Sequence, residues 1–158
     1  MNIIQKSIGP SFAEEVLKSS VSGCPFTWDA NGVYYADGAL TADQVTALNA
    51  LVSAHDSTKK SAQQVYDEAV AAGFDTGRGY TLACDQSTQS LLANTVSLLN
   101  VSLLVATDDA ARAAILNSVQ TIQDNAGTTH SEKTSDLIPV LVAYGNYCKQ
   151  LLYALQGS

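Results

Sequence analysis

Charge is what this 158-residue sequence has least of. Asp, Glu, Lys and Arg together make up 15% of it, against roughly 25% in an average soluble protein. Only eight residues are basic, and Lys59-Lys60 is their single adjacent pair. With a formal net charge of −7, that scatter argues against a nucleic-acid partner, whose recognition begins with clustered Lys and Arg. It equally argues against adhesion to an anionic membrane. Cysteine is sparse: Cys24, Cys84 and Cys148 form neither a CxxC pair nor an even framework, so they read as free buried thiols of a protein made in a reducing cytoplasm. His55 and His130 stand alone, without partners at metal-ligand spacing, so no metal or cofactor is expected.

Long apolar runs are missing too. "LLANTVSLLNVSLLVA", residues 91–106, is short for a membrane span and is interrupted by Asn94, Ser97, Asn100 and Ser102, so it reads as a buried helix. The start, "MNIIQKSIGPSF", lacks the apolar core and small-residue site of a signal peptide. No membrane partner is expected. Apolar residues nevertheless reach 46%, enough to bury a core and to exclude disorder. Ala, Ser, Thr, Asn and Gln replace the missing charge, which suits a surface partly covered by neighbouring subunits.

"SFAEEVLKSS", residues 11–20, predicts a short helix capped by Ser11, with Phe12, Val16 and Leu17 on one face. After Gly23 and Pro25, "FTW" and "VYYA" flank "DANG". Asn31-Gly32 predicts a hairpin turn with positive φ, pairing Trp28 with Tyr34. The next helix begins at Thr41, with Asp43 in its first turn and Gln44 completing a capping box. Val45, Leu48, Val52 and His55 form its stripe; His55 reads as structural, near the C-terminal end of the dipole. The polar stretch from His55 to Ser61 reads as a linker. The expected organisation is therefore a hairpin–helix module over 1–57 and a helical domain over 58–158.

In that second part, Ala62, Val65, Tyr66, Ala69 and Val70 make an apolar helix face that Gly73 ends. Gly77-Arg78-Gly79 lacks the ending of a phosphate loop and reads as a flexible turn before a short strand, Tyr80 to Cys84. Asp85 or Ser87 starts the most apolar helix, whose stripe is Leu92, Val96, Leu99 and Leu103. "TDDAAR" from Thr107 is a second cap signal, so a break and a continuous rod both remain open up to about Val119. A hairpin turning at residues 124–127 follows, then a helix with Ser135 as cap and Pro139 in its first turn. Leu137, Leu141, Tyr144, Cys148, Leu151 and Leu155 run at a heptad-like spacing along it. The fold class is mainly α with two short β-hairpins (α+β), hairpin-plus-helix units packed on a long central helix.

Catalytic chemistry finds no foothold in these patterns. Most acids occupy helix first turns (Asp43, Asp108, Asp109, Asp136) or turns (Asp29, Asp124), and no Ser sits in a nucleophile elbow. A small hydrolase would need His55 or His130 beside an acid or thiol in space. Trp28, Tyr34 and Tyr35 are candidate interface residues, since Tyr34 and Tyr35 point to opposite faces of one strand. Covering a core is the other use of such aromatics. The two stripes, Leu92, Val96, Leu99, Leu103 and Leu137, Leu141, Tyr144, Leu151, Leu155, are candidates on the same footing: they either pack on each other or join copies of the chain.

"CPFTWDANGVYYADGALTADQVTALNALVSAHD" resembles a segment of small structural or accessory proteins from the tail and tail-fibre gene region of tailed bacteriophages. "GFDTGRGYTLACDQSTQSLLANTV", with the terminal hairpin and helix, is similar to an uncharacterised domain of that same setting. The resemblance implies a non-enzymatic virion protein made in the bacterial host cytoplasm, a tail, tail-fibre, baseplate or head-associated subunit. Its partners would be other phage structural proteins and copies of itself. A tail-fibre assembly chaperone absent from the mature particle, or a receptor-binding module, are the alternatives.

Overall fold

The computed structural model describes residues 1–156. It contains six helices and seven strands in small antiparallel sheets, an α+β fold. Two compact units divide it, residues 1–65 and the segment from Tyr66 onward. The polar stretch 55–61 thus lies inside the first unit instead of after it. The chain there is tied back: Glu14 accepts the backbone N–H of Ala62 at 2.7 Å, and a Cβ on Gly9 would lie 2.1 Å from the Ser57 carbonyl oxygen.

The first unit holds β1 (Asn2–Gln5), α1 (Phe12–Leu17), β2 (Phe26–Asp29), β3 (Gly32–Tyr35), α2 (Ala42–Ala54) and the start of α3 (Ala62–Ala72). Its sheet runs β1-β3-β2, so the expected hairpin gains a third strand. The turn also differs. Ala30 and Asn31 form it without any positive φ, because the Asp29 carboxylate accepts the Asn31 N–H at 2.7 Å and closes the loop. Trp28 therefore faces Val33, and Tyr34 faces Thr27, one step from the expected pairing. Gly32 is the first residue of β3, where a Cβ would sit 2.5 Å from the Ile4 carbonyl oxygen.

Around α1, Ser11 is at the N-cap position but does not cap; its hydroxyl donates to Glu15 Oε1 at 2.9 Å. Phe12 and Val16 are buried, and Leu17 points outward. Thr41 and Gln44 form the expected capping box on α2. Leu48 and Val52 then join Phe12, Val16, Val21, Val33 and Leu40 in one core. Burial of each such side chain is favourable by about 1.5–3 kcal/mol.

The second unit contains the rest of α3, then β4 (Phe74–Asp75), β5 (Thr81–Leu82), α4 (Gln86–Val105), α5 (Asp109–Asn117), β6 (Val119–Gln123), β7 (Thr129–Lys133) and α6 (Thr134–Gln156). The segment around Gly77 and Gly79, read as a loop, closes a small β4–β5 hairpin through both glycines at positive φ. Gly73 ends α3 as expected, at φ 76°. α3 itself has no buried residue, and Val65 is exposed, so its predicted face is only partly used. Asp85 caps α4, accepting the Thr88 N–H at 2.8 Å. The chain breaks after Val105, with Asp108, not Thr107, as the cap of α5: its carboxylate accepts the Ala111 N–H at 2.7 Å.

The β6–β7 hairpin turns where expected. α6, however, begins at Thr134, one residue before Ser135, whose hydroxyl goes to Asp136. Thr134 is buried, and its N–H donates to the Ser118 carbonyl at 2.8 Å, which anchors the start of the helix on the end of α5. Pro139 consequently falls in the second turn of α6, not the first. Leu92 of α4 meets Leu137, Val140, Leu141, Tyr144 and Cys148 of α6 in the second core, with Leu82, Cys84 and Ile122 from the strands and loops.

Candidate functional site

Helix α4 carries no charged residue over its twenty positions. Leucines and valines fall on two of its sides, separated by Ser, Thr and Asn, so either side can be buried. The structure uses the predicted stripe, burying Leu92 and Leu99 and half-burying Val96 and Leu103. The opposite side is uncovered. Leu91 is 63% exposed, Leu98 70%, Val101 56%, Leu104 82% and Val105 69%. The expectation of a buried helix is thereby corrected: one stripe is buried, and the remainder faces outward. At twenty residues, α4 is also long and apolar enough to cross a membrane by length and composition.

This outward face was missed because the inner stripe was the more regular leucine series. The signal was nonetheless present. Leu91, Asn94, Leu98, Val101 and Val105 follow one another at spacings of three, four, three and four, a heptad seam in its own right. At about 100° per residue, it lies roughly 150° round the helix from the buried stripe.

On α6, Leu137, Leu141 and Tyr144 are buried in the unit's own core, while Leu151 and Leu155 are half-buried. Tyr144 donates its hydroxyl to the Ala83 carbonyl at 2.7 Å. Its first half therefore packs on its own unit, including α4, which is the intramolecular alternative. Between the two helices runs an open groove of about 550 Å³, lined by residues such as Ala93, Val96, Val142 and Leu152.

The aromatic hairpin residues divide similarly. Tyr35 is half-buried against the first core. Tyr34 donates its hydroxyl to Asp29 at 3.1 Å. Trp28 is 41% exposed, with one edge on Phe12 at 5.5 Å between ring centres. Of the three, Trp28 offers the largest apolar surface to a partner.

Both histidines lie beside an acid, the arrangement that hydrolysis would require. His55 is buried, and both ring nitrogens are occupied. Nε2 accepts the Gly9 N–H at 2.9 Å, which puts the ring proton on Nδ1, donated to Glu15 Oε2 at 2.8 Å. The expected role at the helix dipole is thus replaced by a clamp between three segments. Burial raises the Glu15 carboxyl, but hydrogen bonds from His55 and Ser11 outweigh it and hold the group below its ordinary value. His130 Nε2 lies 2.8 Å from Asp124 Oδ2, and its ring stacks on Tyr80 at 4.1 Å. Asp124 also accepts the N–H groups of Ala126 and Thr128, so it serves the turn. Next to it, Glu132 pairs with Arg78 and accepts the Tyr80 hydroxyl at 3.4 Å.

The thiols lie in or beside the two cores. Cys84 and Cys148 are buried together in the second core, Cys24 is half-buried, and all are free. Burial, and then the neighbouring Cys148, push the Cys84 thiol up to about 12. Among the described residues, no group of three or more His, Cys, Asp or Glu could hold a metal ion. What remains distinctive is the uncharged, uncovered face of α4. No family model matches the chain, and no curated protein or solved structure gives a significant match to it.

Proposed function

We propose that this chain is a non-enzymatic structural subunit that works through protein–protein contact, and that it belongs to the particle of a tailed bacteriophage. The observation that carries the first half is the face of α4: five Leu and Val side chains more than half exposed on a helix without charge. Contiguous apolar patches of this kind mark contact sites, because leaving them in water is unfavourable. The ionisable pairs support the same reading. His55–Glu15, His130–Asp124 and Arg78–Glu132 are each spent on holding segments of the chain together. The phage half rests on the resemblance of residues 24–56 and 73–96 to tail-region proteins.

Mass spectrometry of density-purified particles, counting this polypeptide against the major capsid protein, tests the assignment. A stoichiometric copy number is expected. Absence from the particle together with abundance in infected cells would reject the structural role and favour the fibre-assembly helper.

A further inference from the structure

Building on that reading, we infer that the occupant of the exposed α4 face is the same face of further copies of this chain, packed parallel and in register in a bundle of three or four helices. The seam Leu91, Asn94, Leu98, Val101, Val105 supplies the a and d positions of two heptads: Leu91, Leu98 and Val105 at a, Asn94 and Val101 at d. Leu98 at a followed by Val101 at d is the pattern, leucine at a with a β-branched residue at d, that favours more than two helices. Asn94 is the lone polar residue of the seam, and offset copies would bury its amide against apolar side chains, which favours the in-register arrangement. Parallel in-register helices bring each Asn94 to its equivalents, where the amides satisfy one another.

The flanks agree. Thr95 and Ser102 lie at e, with Ser90, Ser97 and Leu104 at g. No charge there selects a different partner, and no like charges repel identical copies. Area points to the same stoichiometry. The exposed Leu and Val side chains of one helix face offer well short of the roughly 800 Å² per partner of a standard two-body interface. A bundle covers each helix from two sides, and so buries more of Leu104, at the g flank, than a pair does. A bilayer fits less well: the seam itself carries Asn94, and Ser90, Ser97 and Asn100 are exposed on the same helix.

The test is the mass of the full chain by light scattering at roughly 100 μM, the regime of modest affinity. Three or four copies are expected. Leu98→Glu, on an exposed side chain, should reduce the mass to one copy with an unchanged circular dichroism spectrum. Asn94→Leu should keep the association but spread it over several sizes. In a Cys24→Ser background, Leu91→Cys should cross-link to itself on mild oxidation, as parallel in-register strands require. A monomer, a dimer, or an assembly indifferent to Leu98→Glu overturns the inference. So does a monomer that floats with phosphatidylcholine vesicles through Leu98, which would make lipid the occupant. None of these outcomes touches the particle count: a chain monomeric in solution yet stoichiometric in particles would dock α4 on a different subunit.

Discussion

The buried ring of His55 lies 2.8 Å from the carboxylate of Glu15, forty residues earlier in the chain. With Gly9 donating its N–H to the other ring nitrogen, one side chain joins the end of α2, helix α1 and the loop before it. The ring also packs edge-on to Phe12, 5.0 Å between centres. His55→Ala removes this ring and strands a part-buried N–H, so it should destabilise the first unit by about 2–4 kcal/mol. Trp28 is the only tryptophan and lies in that unit, so its fluorescence during denaturant unfolding reads the effect directly. A loss below about 0.5 kcal/mol, the range of ordinary surface substitutions, would mean that the clamp is dispensable.

Acid should loosen both units. Glu15 in the first and Asp85 and Asp124 in the second have carboxyls held below their ordinary values. Hydrogen bonds from His55 and Ser11 overcome burial at Glu15; those from Ser87 and the Thr88 N–H lead at Asp85; that from His130 leads at Asp124. A folded value below the unfolded one stabilises the native state above about pH 4–4.5. That stability is lost as pH falls through the folded values. The melting temperature should thus decline below about pH 4.5, and Asp124→Asn should reduce the second unit's decline by the share of Asp124, leaving that of Asp85. A melting temperature constant between pH 7 and pH 3 would contradict this.

How much of this was legible depended on the distance over which each rule acts. Thr41 and Gln44, Gly73, and the turn after Asp124 are settled within four or five residues, and the sequence read them correctly. The Trp28 register slipped by one because Asn31-Gly32 imitates a turn with positive φ, whereas Asp29 closes the loop one residue earlier. Strand β1 escaped notice because its partner is thirty residues away, and only the bare backbone of Gly32 reveals that something must approach. For α4, hydrophobic periodicity was ambiguous by nature: a helix with two apolar stripes does not announce which one the core will take. The pairing of each histidine with its acid is tertiary for His55 but local for His130, where six residues and a hairpin bring Asp124 across.

Gly32 gives that last point a measurable form. Gly32→Ala places a methyl group 2.5 Å from the Ile4 carbonyl oxygen, against backbone that cannot yield as a side chain can. The expected result is displacement of β1 and a loss of about 1–3 kcal/mol. Hydrogen exchange should show lost protection at Ile4 and its neighbours, with the β2–β3 ladder retained. Unchanged protection in β1 would place that strand elsewhere.

Thiol chemistry should separate the three cysteines. Cys24 is half-buried, whereas Cys84 and Cys148 are buried and the Cys84 thiol is pushed up to about 12. Reaction requires the thiolate and access, so iodoacetamide on the native chain should label Cys24 first. Cys84 and Cys148 should react only as the second unit unfolds, which intact-mass measurement across a denaturant series resolves. Early labelling of Cys148 would show that α6 does not stay packed.

The outer seam of α4 and the buried stripe of α6 should fail in opposite ways. Leu137 is buried at the centre of the second core, and Leu137→Ala should cost about 2–5 kcal/mol. Tyr144→Phe should cost about 1–2 kcal/mol, since it removes only the hydrogen bond to the Ala83 carbonyl. Neither change should alter the assembly state at temperatures where the chain stays folded, because neither side chain reaches the outer face. Leu98→Glu should do the reverse, dissociating copies while leaving the melting of the separated chain nearly intact. Thermal unfolding and light scattering on the same three variants decide between the stripes. Were Tyr144→Phe to dissociate the assembly without lowering the melting temperature, the contact surface would have to be sought on α6, along the groove it forms with α4.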